Sequence, residues 1–176
     1  MRIEELKTPC YVIDEGRLEK NLKILSQVKE NTGCRILLAQ KAFSCFAEYP
    51  LIGKYLDGTT ASGLYEARLG KEEMGLENHV FAPAYKEEDF KELVKICDHI
   101  VFNSFSQLEK YKNALEGVSA GIRINPQCST QEGHEIYDPV RPDQGLAYPL
   151  TILKRSGCPG YQGSISTPYV SRIQKT

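Results

Sequence analysis

Residues 35–46, Arg-Ile-Leu-Leu-Ala-Gln-Lys-Ala-Phe-Ser-Cys-Phe, decide the fold class of this chain and contain its most chemically informative residue. The apolar run within 35–41 is typical of a parallel strand that is covered on both faces. Lys41 ends this predicted strand, and lysine is rarely buried unless it is paired or used in chemistry. In a partly desolvated site its pKa falls and the neutral amine can form a Schiff base. The alternative is a lysine that extends to solvent where the strand ends.

Strand and helix patterns alternate on both sides of this stretch. The predicted strands are 10–14, 35–41, 58–62, 79–84, 99–104 and 120–126, and the predicted helices are 15–30, 46–56, 63–75, 86–96 and 105–116. In the first helix, the apolar residues recur at the three- or four-residue spacing of an amphipathic helix: Leu18, Leu22, Leu25 and Val28. The regular alternation predicts βα units with a parallel sheet, which is the α/β fold class.

Six strands with helices between them fit either an open doubly wound sheet or part of a (β/α)₈ barrel. No Gly-x-Gly-x-x-Gly or P-loop motif follows any predicted strand, which counts against the nucleotide-binding sheets. Barrel enzymes place their active sites at the carboxyl ends of the strands. Polar residues occur at or near those ends here: Lys41, Ser62, Asn103, Arg123 and Asn125. A complete barrel needs about 250 residues, so a chain of 176 residues allows only part of one.

Composition excludes several classes of function. A hydrophobic content of 41% with 26% charged residues is ordinary for a globular protein, and a net charge of −1 gives no support for binding to nucleic acid or to a membrane surface. No apolar run approaches the length of a membrane span, and the amino terminus lacks a signal-peptide pattern, so we expect a cytoplasmic protein. The cysteines and histidines match no metal-ligand spacing, so we expect no metal site.

Several stretches together carry a resemblance to a known family. Residues 8–14 (TPCYVID) and 37–43 (LLAQKAF) resemble the pyridoxal-phosphate decarboxylases of fold type III, which share an alanine-racemase-like barrel. Residues 55–70 (YLDGTTASGLYEARLG), 83–85 (PAY), 97–104 (CDHIVFNS) and 121–126 (GIRINP) are similar to the carboxynorspermidine decarboxylase family within that group. The likeness runs continuously from residue 8 to residue 139, which makes it more specific than any single motif.

The resemblance implies a fold, a cofactor and an activity. The chain would form an incomplete (β/α)₈ alanine-racemase-like barrel with six βα strands, and the intact family member would be a homodimer. The cofactor would be pyridoxal 5′-phosphate, which accepts the electrons of the bond broken on decarboxylation. The substrate would be a carboxylated polyamine, because the family converts carboxynorspermidine or carboxyspermidine to norspermidine or spermidine in polyamine biosynthesis.

The resemblance also implies roles for four residues. Lys41 would be the catalytic residue that holds the cofactor as a Schiff base, and Arg123 matches the family's arginine at the cofactor. Arg123 could equally be an arginine at the rim of the sheet paired with a surface acid. Ser62 and Asn103 would be polar contacts to the cofactor, although small polar residues at strand ends more often form turns.

Two other functions stay open at this point. One is diaminopimelate decarboxylase or another enzyme of fold type III, and the run Asp57–Glu66 favours the carboxynorspermidine family over it. The other is a non-enzymatic barrel that carries pyridoxal phosphate. Such a protein would close its barrel within one short domain, and residues 140–176 offer no strand pattern for that closure.

Residues 140–176 differ from the preceding chain. The stretch from residue 139 holds nine of the 23 glycines and prolines and a single acidic residue, Asp143. In the family, Tyr-Asp-Pro is followed by Cys-Ala-Pro-Gly-Ser-Arg-Leu-Gly-Ile, and codons for 139–148 read one frame onward can encode that run. The same shift over 163–174 permits a second family run, Leu-His-Phe-His-Thr-Leu-Cys-Glu-Gln-Asn. We therefore expect a barrel part at 1–139 and an out-of-frame or disordered tail at 140–176. We also expect no decarboxylase activity from these residues alone.

Overall fold

Five parallel strands form the centre of the molecule, which is seen in a computed structural model that describes residues 3–125, 148–149 and 170–173. The strands are β1 (Leu37–Ala39), β2 (Gly58–Ala61), β3 (Glu77–Phe81), β4 (His99–Phe102) and β5 (Ser119–Asn125). The helices are α1 (Glu15–Thr32), α2 (Tyr49–Ile52), α3 (Leu64–Leu69), α4 (Glu87–Ile96) and α5 (Phe105–Tyr111). A π-helical turn, Gly70–Met74, extends α3, and 3₁₀ turns at Ile3–Glu5, Phe46–Glu48 and Lys112–Ala114 complete the helical segments. Helix and strand thus alternate as the sequence predicts.

The order of the strands bears on the two architectures that the sequence allows. Each parallel strand pairs with the one that precedes it, in the order β1-β2-β3-β4-β5, and every one of these pairs is parallel. A doubly wound sheet reverses its strand order at a switch point. No reversal occurs among these five strands, and their order is consistent with part of a (β/α)₈ barrel.

Two apolar clusters attach the helices to one face of the sheet. The larger cluster joins β2 to β5 with α3, α4 and α5, and its most buried members include Val80, Phe90, Ile100 and Phe102. The smaller cluster joins Leu22 of α1 to α2 and β1. Burying a side chain such as Phe or Ile stabilises a fold by about 1.5–3 kcal/mol. These clusters therefore supply most of the apolar burial in the described residues.

The ends of α1 explain why this helix begins and stops where it does. The side chain of Asp14 accepts a hydrogen bond from the Arg17 amide at 3.0 Å, which caps the first turn. Gly33 ends the helix with a φ of 69°, a conformation that glycine adopts without steric cost. The predicted apolar stripe of α1 is covered only in part, since Leu22 is buried while Leu25 and Val28 are exposed.

The π-helical turn after α3 comes very close to strand β2. A Cβ atom on Gly70 would lie 2.2 Å from Oγ1 of Thr59 and 3.0 Å from Nε2 of Gln40. Real Cβ atoms do not approach other atoms that closely, so the contact between this turn and the sheet requires glycine at position 70.

The structure confirms five of the six predicted strands, and the prediction of a strand at 10–14 is wrong. Residues Cys10–Asp14 are irregular and exposed. A strand is stabilised by backbone hydrogen bonds to a neighbour, and among the described residues no strand lies beside this segment. Its apolar pattern alone is therefore not sufficient for strand formation.

Two short strands come from the part of the sequence that shows no strand pattern. Strand β6 (Tyr148–Pro149) pairs in parallel with Ile124 and Asn125, and β7 (Val170–Ile173) pairs antiparallel with Ala120–Arg123. Strand pairing uses the backbone, so it can occur where side chains give little periodicity. The other residues of 140–176, and the boundary at 139, lie outside the described residues. The out-of-frame or disordered tail therefore stays a prediction.

Candidate active site

The two faces of the sheet carry different side chains, because successive residues of a strand point to opposite sides. Leu38, Val80, Ile100 and Ile122 belong to the clusters beneath the helices. The alternate positions point to the other face, which is called the open face below. Residues paired across neighbouring strands form rows on the open face. One row is Ala39, Thr60, His79 and His99, and the next row lies two residues further along each strand.

Lys41 lies in a tight turn immediately after β1. Ala39 O accepts hydrogen bonds from the amides of Ala42 at 3.0 Å and Phe43 at 3.2 Å, and the Gln40 amide donates to Thr60 O at 3.2 Å. These bonds fix the backbone on both sides of Lys41. The side chain of Lys41 is exposed in the described part of the chain. The sequence suggested a partly desolvated lysine, so the two differ on this point.

The residue before Lys41 anchors this turn to the core on the helix side. Gln40 is 1% exposed, and its Oε1 accepts a hydrogen bond from the hydroxyl of Tyr49 at 3.1 Å. Burial raises the pKa of Tyr49, so its hydroxyl remains a proton donor at neutral pH. Because Gln40 points toward the helices, the following residue, Lys41, is directed to the open face.

A cavity of about 90 Å³ adjoins Lys41 at the carboxyl ends of β1, β2 and β3. It is lined by Ala39, Lys41, Thr60, Ala61, Ser62 and Phe81. Ligand sites usually enclose about 300–1,000 Å³, so these residues form only part of a site for a cofactor. The structure thus brings together Lys41 and Ser62 from the predicted set.

Ser62 is held at this cavity by the start of helix α3. Its backbone amide donates a hydrogen bond to Oε2 of Glu66 at 2.7 Å, which closes the chain reversal between β2 and the helix. This contact resembles a capping box, in which an acid in the first turn accepts from an amide that precedes the helix. The Ser62 side chain is exposed, and it is therefore accessible to a ligand in the cavity.

Arg123 is connected to the cavity through an aromatic ring. Its guanidinium carbon lies 4.9 Å from the centroid of the Phe81 ring, within the range of a cation–π contact. Phe81 itself lines the cavity beside Lys41. Arg123 is thus part of the open face, although the structure does not place it among the residues that line the cavity.

Asn103 follows β4 and lies level with Arg123 on β5. Phe102 pairs with Ile122, so the next residues along the two strands are Asn103 and Arg123. The Asn103 amide donates to Oε1 of Gln107 at 2.9 Å, and Gln107 Nε2 donates to Pro83 O at 2.6 Å. Gln107 therefore ties the loop after β3 to the loop after β4. The position of Asn103 agrees with a place at the edge of the site, and its role stays a prediction.

Tyr85 fixes the carboxyl ends of β3 and β4. Its hydroxyl accepts from the Ala82 amide at 3.1 Å and donates to Val101 O at 2.7 Å. Burial raises the pKa of Tyr85 far above its usual range, so the hydroxyl stays protonated at any physiological pH. In the sequence, residues 83–85 stood out only through their resemblance to the family. The hydrogen bonds show that Tyr85 holds the ends of two strands together.

Sequence reasoning missed four cavity residues: Ala39, Thr60, Ala61 and Phe81. Phe81 lies in the middle of a predicted strand, where an apolar residue is normally assigned to the core. Counting alternate positions from Val80 would have placed Phe81 on the face opposite the helices. That periodicity was the available signal.

A polar row lies further down the open face, toward the amino ends of the strands. The rings of His79 and His99 stand 4.8 Å apart, and His79 Nε2 lies 2.8 Å from Oε1 of Glu77. Glu77 also forms an ion pair with Arg35. This row borders the cavity, because Ala39 and Thr60 belong to the same row and line it. The ion pair of Glu77 joins β3 to the segment that precedes β1.

Two larger cavities lie away from the predicted site residues. One of about 470 Å³ is at the opposite edge of the sheet and is lined by Arg35, Lys71, Gly75, Leu76, Glu77 and Asp98. The other, of about 330 Å³, lies between α4 and α5.

In the described part of the chain no helix is long and apolar enough to cross a membrane. In the same residues, no group of three or more acidic, histidine or cysteine residues could hold a metal ion.

Comparison with known proteins gives relatives that share one type of activity. No family profile matches the chain. The carboxynorspermidine/carboxyspermidine decarboxylase of Herminiimonas arsenicoxydans is 38% identical over 150 residues, covering 84% of this chain and 41% of the relative. The enzyme of the same name from Campylobacter jejuni is 39% identical over 139 residues, covering 79% and 36%. A carboxyaminopropylagmatine decarboxylase of Synechocystis is 35% identical over 167 residues, covering 94% and 43%.

A solved structure agrees with these relatives. The crystal structure of carboxynorspermidine decarboxylase from Campylobacter jejuni complexed with norspermidine matches with a TM-score of 0.74 and 34% identity. The match covers 85% of this chain and 38% of that one. The chain is therefore homologous to the carboxynorspermidine and carboxyspermidine decarboxylases, and it spans about two-fifths of the length of the curated relatives it matches.

Proposed function

We propose that this chain is part of a pyridoxal-phosphate-dependent decarboxylase that acts on a carboxylated polyamine. The observation that carries the proposal is the position of Lys41, which lies in a fixed turn immediately after β1 and lines a cavity together with Ser62 and Phe81. The names of the relatives support the reaction type. In the whole protein we expect the five parallel strands to be part of a closed (β/α)₈ barrel, in a homodimer.

The residues of the open face fit the chemical groups of pyridoxal phosphate. The Lys41 amine can bind an aldehyde covalently, and the Arg123 cation can bind an anionic oxygen. Ser62 and Asn103 offer a hydroxyl and an amide at the same edge of the sheet. When bound, the cofactor supplies the electron sink for the decarboxylation. The protein's part is to hold the cofactor and to orient the carboxylate that leaves.

The described residues form only part of this site. The cavity at Lys41 has about 90 Å³, which is less than a cofactor with its substrate requires. We therefore propose that residues from the remaining length of the relatives complete the site. On the same ground we expect no decarboxylation by the 176-residue chain alone.

The substrate class follows from what the relatives' names share. Two relatives are named for carboxynorspermidine and carboxyspermidine, and one for carboxyaminopropylagmatine. All three names describe a long amine that bears a carboxyl group. We propose this class, an aliphatic polyamine or its guanidino derivative with one carboxylate. Measuring CO₂ release from each of the three carboxylated amines distinguishes its members.

Trapping of the cofactor tests the role of Lys41 in the chain itself. Pyridoxal phosphate is added, the adduct is reduced with borohydride, and the modified lysine is identified by peptide mass spectrometry. We expect the label on Lys41 and its loss in Lys41→Ala. Lys112→Ala, which removes a half-exposed lysine of a surface ion pair, is the matched control and should keep the label. Equal labelling of several lysines, with no preference for Lys41, would contradict the proposed role.

Activity requires the whole protein, so its test begins with the DNA that follows the codon for Pro139. If the frame is restored there and the longer product is expressed, it should release CO₂ from one of the three carboxylated amines. Lys41→Ala in that product should lower the rate about a thousandfold or more, as loss of a nucleophile does in other enzymes. Codons after position 139 that do not fit the shifted frame would overturn the frameshift, and release of CO₂ by the 176-residue chain would contradict the need for a longer protein.

A further inference from the structure

We propose that Phe81 is a positioning residue, which holds the guanidinium of Arg123 in place beside the Lys41 cavity. The inference rests on the proposed function, because it gives Phe81 a task only if Arg123 faces an anionic ligand. It differs from that function in assigning a role to a side chain that contributes no polar group.

The first observation is that one ring touches both parts of the site. Phe81 lines the cavity that Lys41 and Ser62 also line. The same ring lies 4.9 Å from the guanidinium carbon of Arg123. Lys41 follows β1 and Arg123 belongs to β5, and Phe81 lies on β3, between these two strands in the sheet.

The second observation is the glycine on β5 in the same row as the ring. The strand pairing aligns Phe81 with Val101 on β4 and Val101 with Gly121 on β5. Gly121 has no side chain, so nothing at that position separates the ring from the guanidinium of Arg123, two residues further along β5.

The third observation is the contrast with the other phenylalanine of the parallel strands. Phe102 is 0% exposed and packs against Phe90 and Tyr111 in the helix-side core. Phe81 is absent from that cluster and points to the open face. Its ring is therefore available to a cation, and a planar guanidinium is well suited to lie over an aromatic face.

The contact would set the direction of the Arg123 cation. Arginine has several rotatable bonds, and ordering such a side chain costs entropy. A ring that holds the guanidinium before the ligand arrives lowers that cost for binding. Leucine at position 81 would keep apolar contact but remove the aromatic face, whereas tyrosine would keep the face.

The test measures pyridoxal phosphate affinity, together with borohydride trapping at Lys41, in the full chain. The proteins are the wild type, Phe81→Leu, Phe81→Tyr, Arg123→Gln and the Phe81→Leu/Arg123→Gln double variant. We expect Phe81→Leu to weaken the affinity about two- to thirtyfold, the range of one cation–π contact. Phe81→Tyr should bind like the wild type. The double variant should bind no more weakly than Arg123→Gln, because both changes remove the same contact.

A second readout keeps the inference testable without the cofactor. Urea unfolding of the same variants gives the coupling between Phe81 and Arg123 in the free chain, and we expect a favourable coupling. Additive effects on unfolding would overturn the contact, and equal affinity in Phe81→Leu and the wild type would overturn the positioning role. If wild type gives no adduct at Lys41, the proposed function of the chain fails, and the coupling in urea still decides whether Phe81 holds Arg123.

Discussion

The two faces of the sheet differ in what their side chains contact. On the helix-covered face, Val80, Phe102 and Ile122 are almost fully buried in one apolar cluster. On the open face, Lys41 and Ser62 are exposed and Phe81 is only partly buried. Since both sets come from the same strands, a change of one position along a strand moves a side chain from one set to the other.

This difference indicates which face stabilises the fold and which face carries the chemically reactive groups. The helix-covered face supplies apolar burial, the main favourable contribution to folding. The open face supplies an amine, a cation and small polar groups that do little for stability. Substitutions on the two faces should therefore separate effects on unfolding from effects on ligand binding.

The largest expected effect is a matched pair of phenylalanine truncations on opposite faces. Phe102→Ala removes a fully buried ring and should cost about 3–5 kcal/mol of the free energy of unfolding, the usual value for such a change. Phe81→Ala removes a partly buried ring and should cost about 1–2 kcal/mol. Urea denaturation followed by circular dichroism measures both. Equal costs would show that the open face is part of the apolar core.

The next largest effect on the free energy of unfolding is expected for Asn78, a polar residue buried beneath the helices. The side-chain amide of Asn78, 0% exposed, donates to Ala67 O at 2.8 Å and Ile96 O at 3.1 Å, and accepts from Thr59 Oγ1 at 3.1 Å. Asn78→Ala leaves these partners unsatisfied in the core and should cost about 2–4 kcal/mol in unfolding experiments. Thr59→Val, which removes one of the bonds and keeps the shape, is the control and should cost about 1 kcal/mol. A cost below that of the control would show that water replaces the amide.

The smallest expected effect depends on pH and concerns Asp57, which directly precedes β2 at the amino-terminal edge of the sheet. Asp57 accepts from the Ile36 amide at 2.7 Å and pairs with Lys29 at 2.9 Å. Partial burial of this carboxyl acts to raise its pKa, but these two contacts outweigh burial and lower the pKa of Asp57 below its usual value of 3.8. Its contribution to stability is therefore present above that pH and is lost as the pH falls through the lowered pKa.

Comparison with Asp57→Asn isolates this contribution. At about pH 6 the wild type should be about 1–2 kcal/mol more stable than the variant, the value of a hydrogen-bonded charge reduced for partial exposure. At about pH 3, which is below the usual pKa of 3.8, the difference should be smaller than at pH 6. Urea titrations at both pH values measure it, and a difference that does not change with pH would assign the effect to packing alone.

Much of the fold could be predicted from residues 15–125. The apolar positions of α4, Phe90 and Leu93 among them, recur at helical spacing and are buried as that spacing predicts. The segment 10–14 shows the limit of this approach. Its apolar residues predict a strand, but a strand needs a neighbour, and the neighbour is a property of the whole fold.

The site was predictable in part. Lys41 and Ser62 were found because each ends a strand, and parallel strands end at the same edge of a sheet. Phe81 was missed because an apolar residue inside a strand gives no chemical signal of its own. Its role depends on Arg123, which is distant in sequence and close only in the folded chain.

The sequence by itself determined the alternation of strands and helices, the place of Lys41 at the end of a strand, and the resemblance to one decarboxylase family. These follow from periodicity and local motifs, which depend on residues near each other in the chain. Only the tertiary structure decided the sequential strand order, the exposure of Lys41 and the contact of Arg123 with Phe81. Those features depend on pairings between distant segments, which side-chain patterns within one segment do not specify.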